Sequence, residues 1–252
     1  GGSGMRPGSQ EIVKSLNPGQ REAVEHQGAP LLILAGAGSG KTRVVTTKIA
    51  WLVSEGLYSP YEILAVTFTN KAAGEMGERV KRLAPEAGGV LIRTFHSFGA
   101  WLLRRHAAAA GLDRNFVIYD DEDSVTLLKS IYDDRTRKEL GRYAHFISRA
   151  KDYCLAPSDD LKGISLDPDL QAMYERYQAK LDSMGNVDFG DLIMKSVNLL
   201  KNNRDVRNEV RERFKVVLVD EFQDSNVAQF ELLKVLKGED TYLCVVGDDD
   251  QS

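Results

Sequence analysis

The segment Ala35-Gly36-Ala37-Gly38-Ser39-Gly40-Lys41-Thr42 has the residue types and spacing to bind phosphate. Its glycines let successive backbone N–H groups turn toward one point, and at a helix N-terminus such a cradle favours an anion. In this chemistry the Lys41 ammonium reaches the β- and γ-phosphates of a nucleotide and the Thr42 hydroxyl ligates Mg²⁺. Ala37, Gly38, Ser39, Gly40, Lys41, Thr42 and Arg43 are therefore the candidate nucleotide contacts. The first position is Ala35 where the usual pattern has glycine. The setting is right, because an apolar run precedes the loop and an amphipathic stretch, Thr42 to Val53, follows it.

A phosphate loop needs an acidic partner at the end of another buried strand. Val216-Val217-Leu218-Val219-Asp220-Glu221 supplies it, with Asp220 placed to hold Mg²⁺ and Glu221 one residue on to take a proton from an attacking water. Taken alone, the same residues also describe a strand ending in two solvated carboxylates. Together with the loop they favour nucleotide hydrolysis. Asn17-Pro18-Gly19-Gln20 has the spacing of a helix capping box, so Gln20 is a cap, a ligand contact or both.

Other candidates have plainer readings. Asp120 to Asp123 read as the acidic first turn of a helix rather than a metal site. Asp188, three residues before Asp191, suits an N-cap. Trp51 and Trp101 have aliphatic neighbours at helical spacing and read as core, as do Phe68 and Phe95 from their local pattern. His96 has no second His, Cys or acid spaced with it for a metal. Cys154 and Cys244 form no CxxC pair and read as buried thiols, not a disulfide framework.

Elements that would position these groups are legible. Leu31 to Ala35, Ile63 to Phe68, Val90 to Thr94, Val216 to Asp220 and Tyr242 to Gly247 are continuous apolar runs, the mark of strands buried in a parallel sheet. Helical patterns alternate with them, so the fold class is α/β. Between Leu112 and Gly185 the period is helical throughout, which predicts an all-helical insertion. Gly1 to Gly4 read as a linker ahead of Met5, with residues 1–10 outside the fold. The 252 residues are 42% hydrophobic and 28% charged, with mean hydropathy -0.30, ordinary for a soluble protein. No apolar run approaches the ~20 residues needed to span a bilayer, and no basic stretch leads an apolar one, so the expected location is cytoplasmic. The net charge of -4 hides a gradient. Residues 1–111 carry 13 Lys and Arg against 8 Asp and Glu, whereas 112–185 carry 11 against 15 and 186–252 carry 9 against 14. Only the first part has the sign of a phosphate-binding surface, which permits a nucleic-acid partner.

Asp220-Glu221-Phe222-Gln223-Asp224, together with Thr67-Phe68-Thr69-Asn70-Lys71-Ala72-Ala73, Arg93-Thr94-Phe95-His96-Ser97-Phe98 and Asn17-Pro18-Gly19-Gln20, resembles the superfamily 1 DNA helicases of the UvrD, PcrA and Rep group. Val246-Gly247-Asp248-Asp249-Asp250-Gln251-Ser252 continues the resemblance, which runs in family order from about Leu16. It implies a RecA-like P-loop NTPase subdomain, 1A, over 11–111 and 186–252, interrupted by a helical subdomain 1B over 112–185. It implies ATP and Mg²⁺ as cofactors, Gln20 on the adenine, and Gln223 and Gln251 sensing the γ-phosphate. Phe68, Asn70, Thr94 and His96 would line a groove for single-stranded DNA, with Phe68 stacking on a base. The implied activity is 3′ to 5′ translocation on single strands and at single-strand/duplex junctions, with repair or replication proteins as further partners. The second RecA-like half, whose arginines reach the phosphates in the family, lies outside this sequence, so these 252 residues alone are expected to be inert as a motor. Two rival readings are a nucleotide-switched DNA- or protein-binding module and a small-molecule P-loop kinase. The kinase would need a lid and an acceptor site that the sequence does not offer.

Overall fold

A computed structural model describes residues 4–28, 31–35, 41–220 and 226–248, with the backbone alone at 31–35, 41 and 248. In chain order the elements are α1 (Pro7–Val13), α2 (Pro18–Glu25), β1 (Leu31–Ala35), α3 (Lys41–Ser54), β2 (Ile63–Thr67), α4 (Asn70–Leu83), β3 (Leu91–Thr94), α5 (Phe95–Arg105), β4 (Ile118–Tyr119), α6 (Asp121–Ile131), α7 (Arg137–Asp152), α8 (Leu170–Ser183), β5 (Val187–Asp188), α9 (Asp191–Asn202), α10 (Arg204–Arg213), β6 (Val216–Asp220), α11 (Val227–Leu236) and β7 (Tyr242–Asp248).

Five strands form one parallel sheet in the order β1-β7-β6-β2-β3. Every residue of β2 and β6 is buried, which is why these runs are apolar without alternation. Register places Ala35 beside Asp248, Asp220 beside Val246 and Thr67 beside Thr94. Because all the strands run the same way, their carboxyl ends share one edge, where α/β sheets bind ligands. Under the sheet, α3 contributes Val45, Ile49 and Leu52 to a core with Ile63, Ala65, Leu218 and Val246.

Contacts divide the chain into two compact units. Unit one holds the sheet and comprises 1–95, 208–223 and 236–252; unit two comprises 96–207 and 224–235. Unit two has its own core, in which Leu128, Leu140, Ile147, Tyr174, Tyr177 and Leu181 of α6, α7 and α8 meet. There α5 lies close against α9, since a Cβ at Gly99 would overlap the Leu192 carbonyl.

The structure corrects the sequence reading in several places. The insertion is not all helical, because β4 and β5 pair in parallel within unit two. The chain passes between the two compact units at 95/96, 207/208, 223/224 and 235/236, so the expected subdomain breaks at 111/112 and 185/186 both fall inside unit two, which also holds α9 and nearly all of α5. Residues 7–10 belong to a helix: Pro7 sits at its start and Ser9, Ile12 and Val13 are buried. Cys154 is only half-buried, with φ 59, whereas Cys244 is buried; both thiols are free. Trp51 is core, while Trp101 is half-buried and stacks on Phe98. Asp120 caps α6 in a reciprocal box with Asp123, as an acidic first turn should. Among the described residues no helix is long and apolar enough to cross a membrane, and no cluster of three His, Cys, Asp or Glu could hold a metal.

Candidate functional site

On the phosphate side the chain passes from β1 through residues 36–40 into α3. Ala37, Gly38, Ser39 and Gly40 lie outside the described residues, as do Glu221, Gln223 and Gln251, and only the backbone of Lys41 is described. Two of the expected cation ligands are described and meet. The Thr42 hydroxyl, in the first turn of α3, donates to Asp220 Oδ2 at 3.5 Å. Asp220 closes β6 and is 1% exposed. Both are hard oxygen donors, the type Mg²⁺ prefers, at the carboxyl edge of a parallel sheet.

Neighbouring groups are tied down. The Arg43 guanidinium donates to the Ser15 carbonyl at 3.1 Å and hydroxyl at 2.6 Å. Gln20 completes a capping box: its backbone N–H donates to Asn17 Oδ1 at 2.8 Å, and its Oε1 accepts from the Asn17 N–H at 3.1 Å. The cap therefore uses the side-chain oxygen of Gln20 and makes no use of its NH₂ end.

At the same edge Phe68 follows β2 and is 46% exposed, so it is not core; Phe95, at 3%, is. The difference is geometric. β2 ends at Thr67, and Thr69 turns the chain into α4 by accepting from the Ala72 N–H at 3.0 Å, which carries Phe68 out of the sheet. Asn70 is exposed in the first turn of α4. Thr94, paired with Thr67, is buried rather than presented. Beside them a groove of about 420 Å³ runs between α4 and the edge strand β3, lined by Asn70, Gly77, Lys81, Ile92 and Arg93.

In unit two, His96 is the second residue of α5 and stacks on Phe189, with ring centroids 3.9 Å apart and planes at 14°. Burial pushes the His96 imidazole down to about 4, so it is neutral near pH 7. Phe189 is 55% exposed. It sits in a turn fixed from below. Asp188 Oδ1 accepts from the Asp191 N–H at 2.8 Å, and the wholly buried Lys151 reaches Asp188 Oδ2 at 2.6 Å and Asp191 Oδ1 at 2.9 Å. Tyr177 adds a hydroxyl to Asp188 Oδ2 at 2.8 Å. Burial works against a charge on Lys151, but the Asp191 and Asp188 carboxylates outweigh it and hold its pKa above the usual lysine value. Sequence reasoning missed both Phe189 and Lys151. The available signal was an aromatic held between an N-capping Asp and a glycine, Asp188-Phe189-Gly190, where a turn leaves a ring no core to enter.

The fold and the described part of the site define a RecA-like α/β domain whose ligand edge is the carboxyl end of a parallel sheet. A family model, UvrD/REP helicase N-terminal domain, matches residues 16–252. The chain belongs to that family. It is 44% identical over 246 residues to the ATP-dependent DNA helicase Rep of Salmonella typhimurium, covering 94% of this chain and 36% of the relative. It is 42% identical over 248 residues to PcrA of Staphylococcus epidermidis and over 261 residues to UvrD1 of Mycobacterium tuberculosis, each covering 96% of this chain and 34% of the relative. The chain thus spans about a third of the length of these relatives.

Proposed function

We propose that this chain is the ATP- and Mg²⁺-binding part of a cytoplasmic DNA helicase that moves 3′ to 5′ along single-stranded DNA. The observation that supports it most is the apposition of the Thr42 hydroxyl and the Asp220 carboxylate. In this reading Thr42 and Asp220 hold Mg²⁺, which when bound neutralises charge on the phosphate oxygens. Lys41, Arg43 and the backbone of 37–40 hold the phosphates, and Gln20 meets the adenine. Glu221 accepts the proton of the attacking water, and Gln223 and Gln251 sense the γ-phosphate. Residues 11–111 and 186–252 serve as subdomain 1A and 112–185 as 1B. Phe68, Asn70 and Thr94 of unit one and His96 of unit two are the proposed single-strand contacts, and Phe189, stacked on His96, is a further one. Junction DNA and repair or replication proteins are the proposed partners.

The test is steady-state ATPase of a protein of the relatives' full length, with and without single-stranded DNA. Glu221→Gln should keep nucleotide binding and lose turnover, whereas Lys41→Ala should mainly weaken binding. Wild-type, DNA-stimulated turnover in Glu221→Gln would remove Glu221 from the chemistry. Nucleotide binding without turnover in the wild type would favour a switch module. The 252 residues alone should fall short of the longer protein by a factor on the order of 10³–10⁵, the worth of an arginine supplied to the transferring phosphate.

A further inference from the structure

Lys48 lies wholly inside unit one, yet no step of the proposed chemistry uses it. Its ammonium donates to the carbonyls of Ala23 and Val24 at 2.9 Å each and of His26 at 2.7 Å, which occupies all three of its N–H groups. Ala23 and Val24 are in the last turn of α2, where carbonyls have no helical partner and a cation is favoured by the dipole. The Tyr242 ring lies 5.0 Å from the same nitrogen, and the Tyr242 hydroxyl and His26 Nδ1 are 2.9 Å apart.

We infer that Lys48 is a positioning residue for base selectivity, fixing the helix that carries Gln20 against the helix that begins at the phosphate loop. Helix α2 has eight residues, too few to be stable by itself, so its place depends on what holds its ends. Asn17 and Gln20 close the first end on each other, and Lys48 clamps the second. Gln20 stands three and four residues before Ala23 and Val24, about one turn. Lys48 stands seven residues after Lys41, close to two turns and ~10 Å along α3. A short rigid path therefore joins the phosphate end of the nucleotide to its base end, and the Arg43 contact with Ser15 adds a second tie ahead of α2. With the clamp intact, Gln20 is held at one spacing from the phosphates; without it, α2 can drift while α3 stays in the core. The inference rests on the proposed contact of Gln20 with adenine.

The experiment measures the affinities of ATP, GTP and inorganic tripolyphosphate for the 252-residue chain with Mg²⁺, in wild type, Lys48→Met, Lys48→Arg and Gln20→Ala. Lys48→Met should lose about tenfold of the ATP-over-GTP preference while tripolyphosphate binds within about twofold of wild type, and Lys48→Arg should recover part of the preference. If Lys48→Met does not fold, Lys48→Gln, which keeps a donor but shortens the reach, carries the same expectation. An unchanged preference in the Lys48 variants, or a loss of all three ligands together, overturns the inference. Gln20→Ala separates the two failures. Preference retained there refutes the adenine contact itself, whereas preference lost there but kept in Lys48→Met refutes only the role of Lys48.

Discussion

In unit one the buried Lys48 meets neutral acceptors, the carbonyls of Ala23, Val24 and His26, while in unit two the buried Lys151 meets two carboxylates. Burial brings Lys48 down to about 8, with the Cys244 thiol a smaller opposing influence. For Lys151 the Asp191 and Asp188 charges prevail and the pKa rises. The contrast follows from what each lysine holds. Helix termini offer only partial charges, enough to seat an ammonium without making it indispensable, whereas a turn with two buried acids cannot be dried without a full positive charge. The segment bearing Gln20 is thus tied by a bond that pH can loosen. The turn bearing Phe189 is locked.

Lys151→Met should therefore have the largest effect, about 3–5 kcal/mol of stability, because two carboxylates stay buried without their counter-charge. Urea denaturation would measure it, and adding Asp188→Asn and Asp191→Asn should restore part of the loss. If Lys151→Met costs no more than Lys48→Met, the contrast fails. Lys48→Met should cost about 1–3 kcal/mol, the range for buried acceptors left without a donor.

Stability as a function of pH sharpens the comparison, because the two slopes have opposite sign. Lys48 binds fewer protons folded than unfolded between about 8 and 10.5, so wild type should gain stability relative to Lys48→Met as pH rises through that window. Lys151 has a raised folded pKa, so its contribution is full below 10.5 and is lost as pH rises through the folded value. His96 behaves like Lys48 at lower pH. Its folded value near 4 lies below 6.5, so the fold loses stability as pH falls from 6.5 toward 4, and His96→Gln should remove that slope. An NMR titration placing His96 near 6.5 would contradict its burial against Phe189. Phe68→Ala should have the smallest effect on folding, within ~0.5 kcal/mol, because the ring is half exposed, yet it should cost ~1–3 kcal/mol of single-strand affinity in an anisotropy titration.

What the sequence made legible was what repeats or what turns. Leu31–Ala35 and Val216–Asp220 were bounded correctly, and the other three sheet strands to within a residue at one end, because short continuous apolar runs leave few alternatives. The phosphate loop was legible from its glycines, although its geometry lies outside the described residues. Pairing of β4 with β5 was not, since two residues carry no periodicity. Phe68 extended an apolar run and so looked buried; only the Thr69 cap, a tertiary fact about where β2 stops, turns it outward. Nothing local in the sequence marks Lys48 or Lys151. A lysine's depth depends on which carbonyls or carboxylates the fold brings from more than twenty residues away, and no local pattern records that.

In the proposed function Asp220 and Thr42 complete a Mg²⁺-nucleotide site at the edge of the sheet. Its most direct test is calorimetric titration of a non-hydrolysable ATP analogue into the 252-residue chain with Mg²⁺ and with EDTA, in wild type, Thr42→Val and Asp220→Asn. Mg²⁺ should tighten binding about tenfold or more in wild type, and this gain should disappear in both variants without unfolding them. Nucleotide binding indifferent to Mg²⁺, or a Mg²⁺ gain that survives Asp220→Asn, would contradict it.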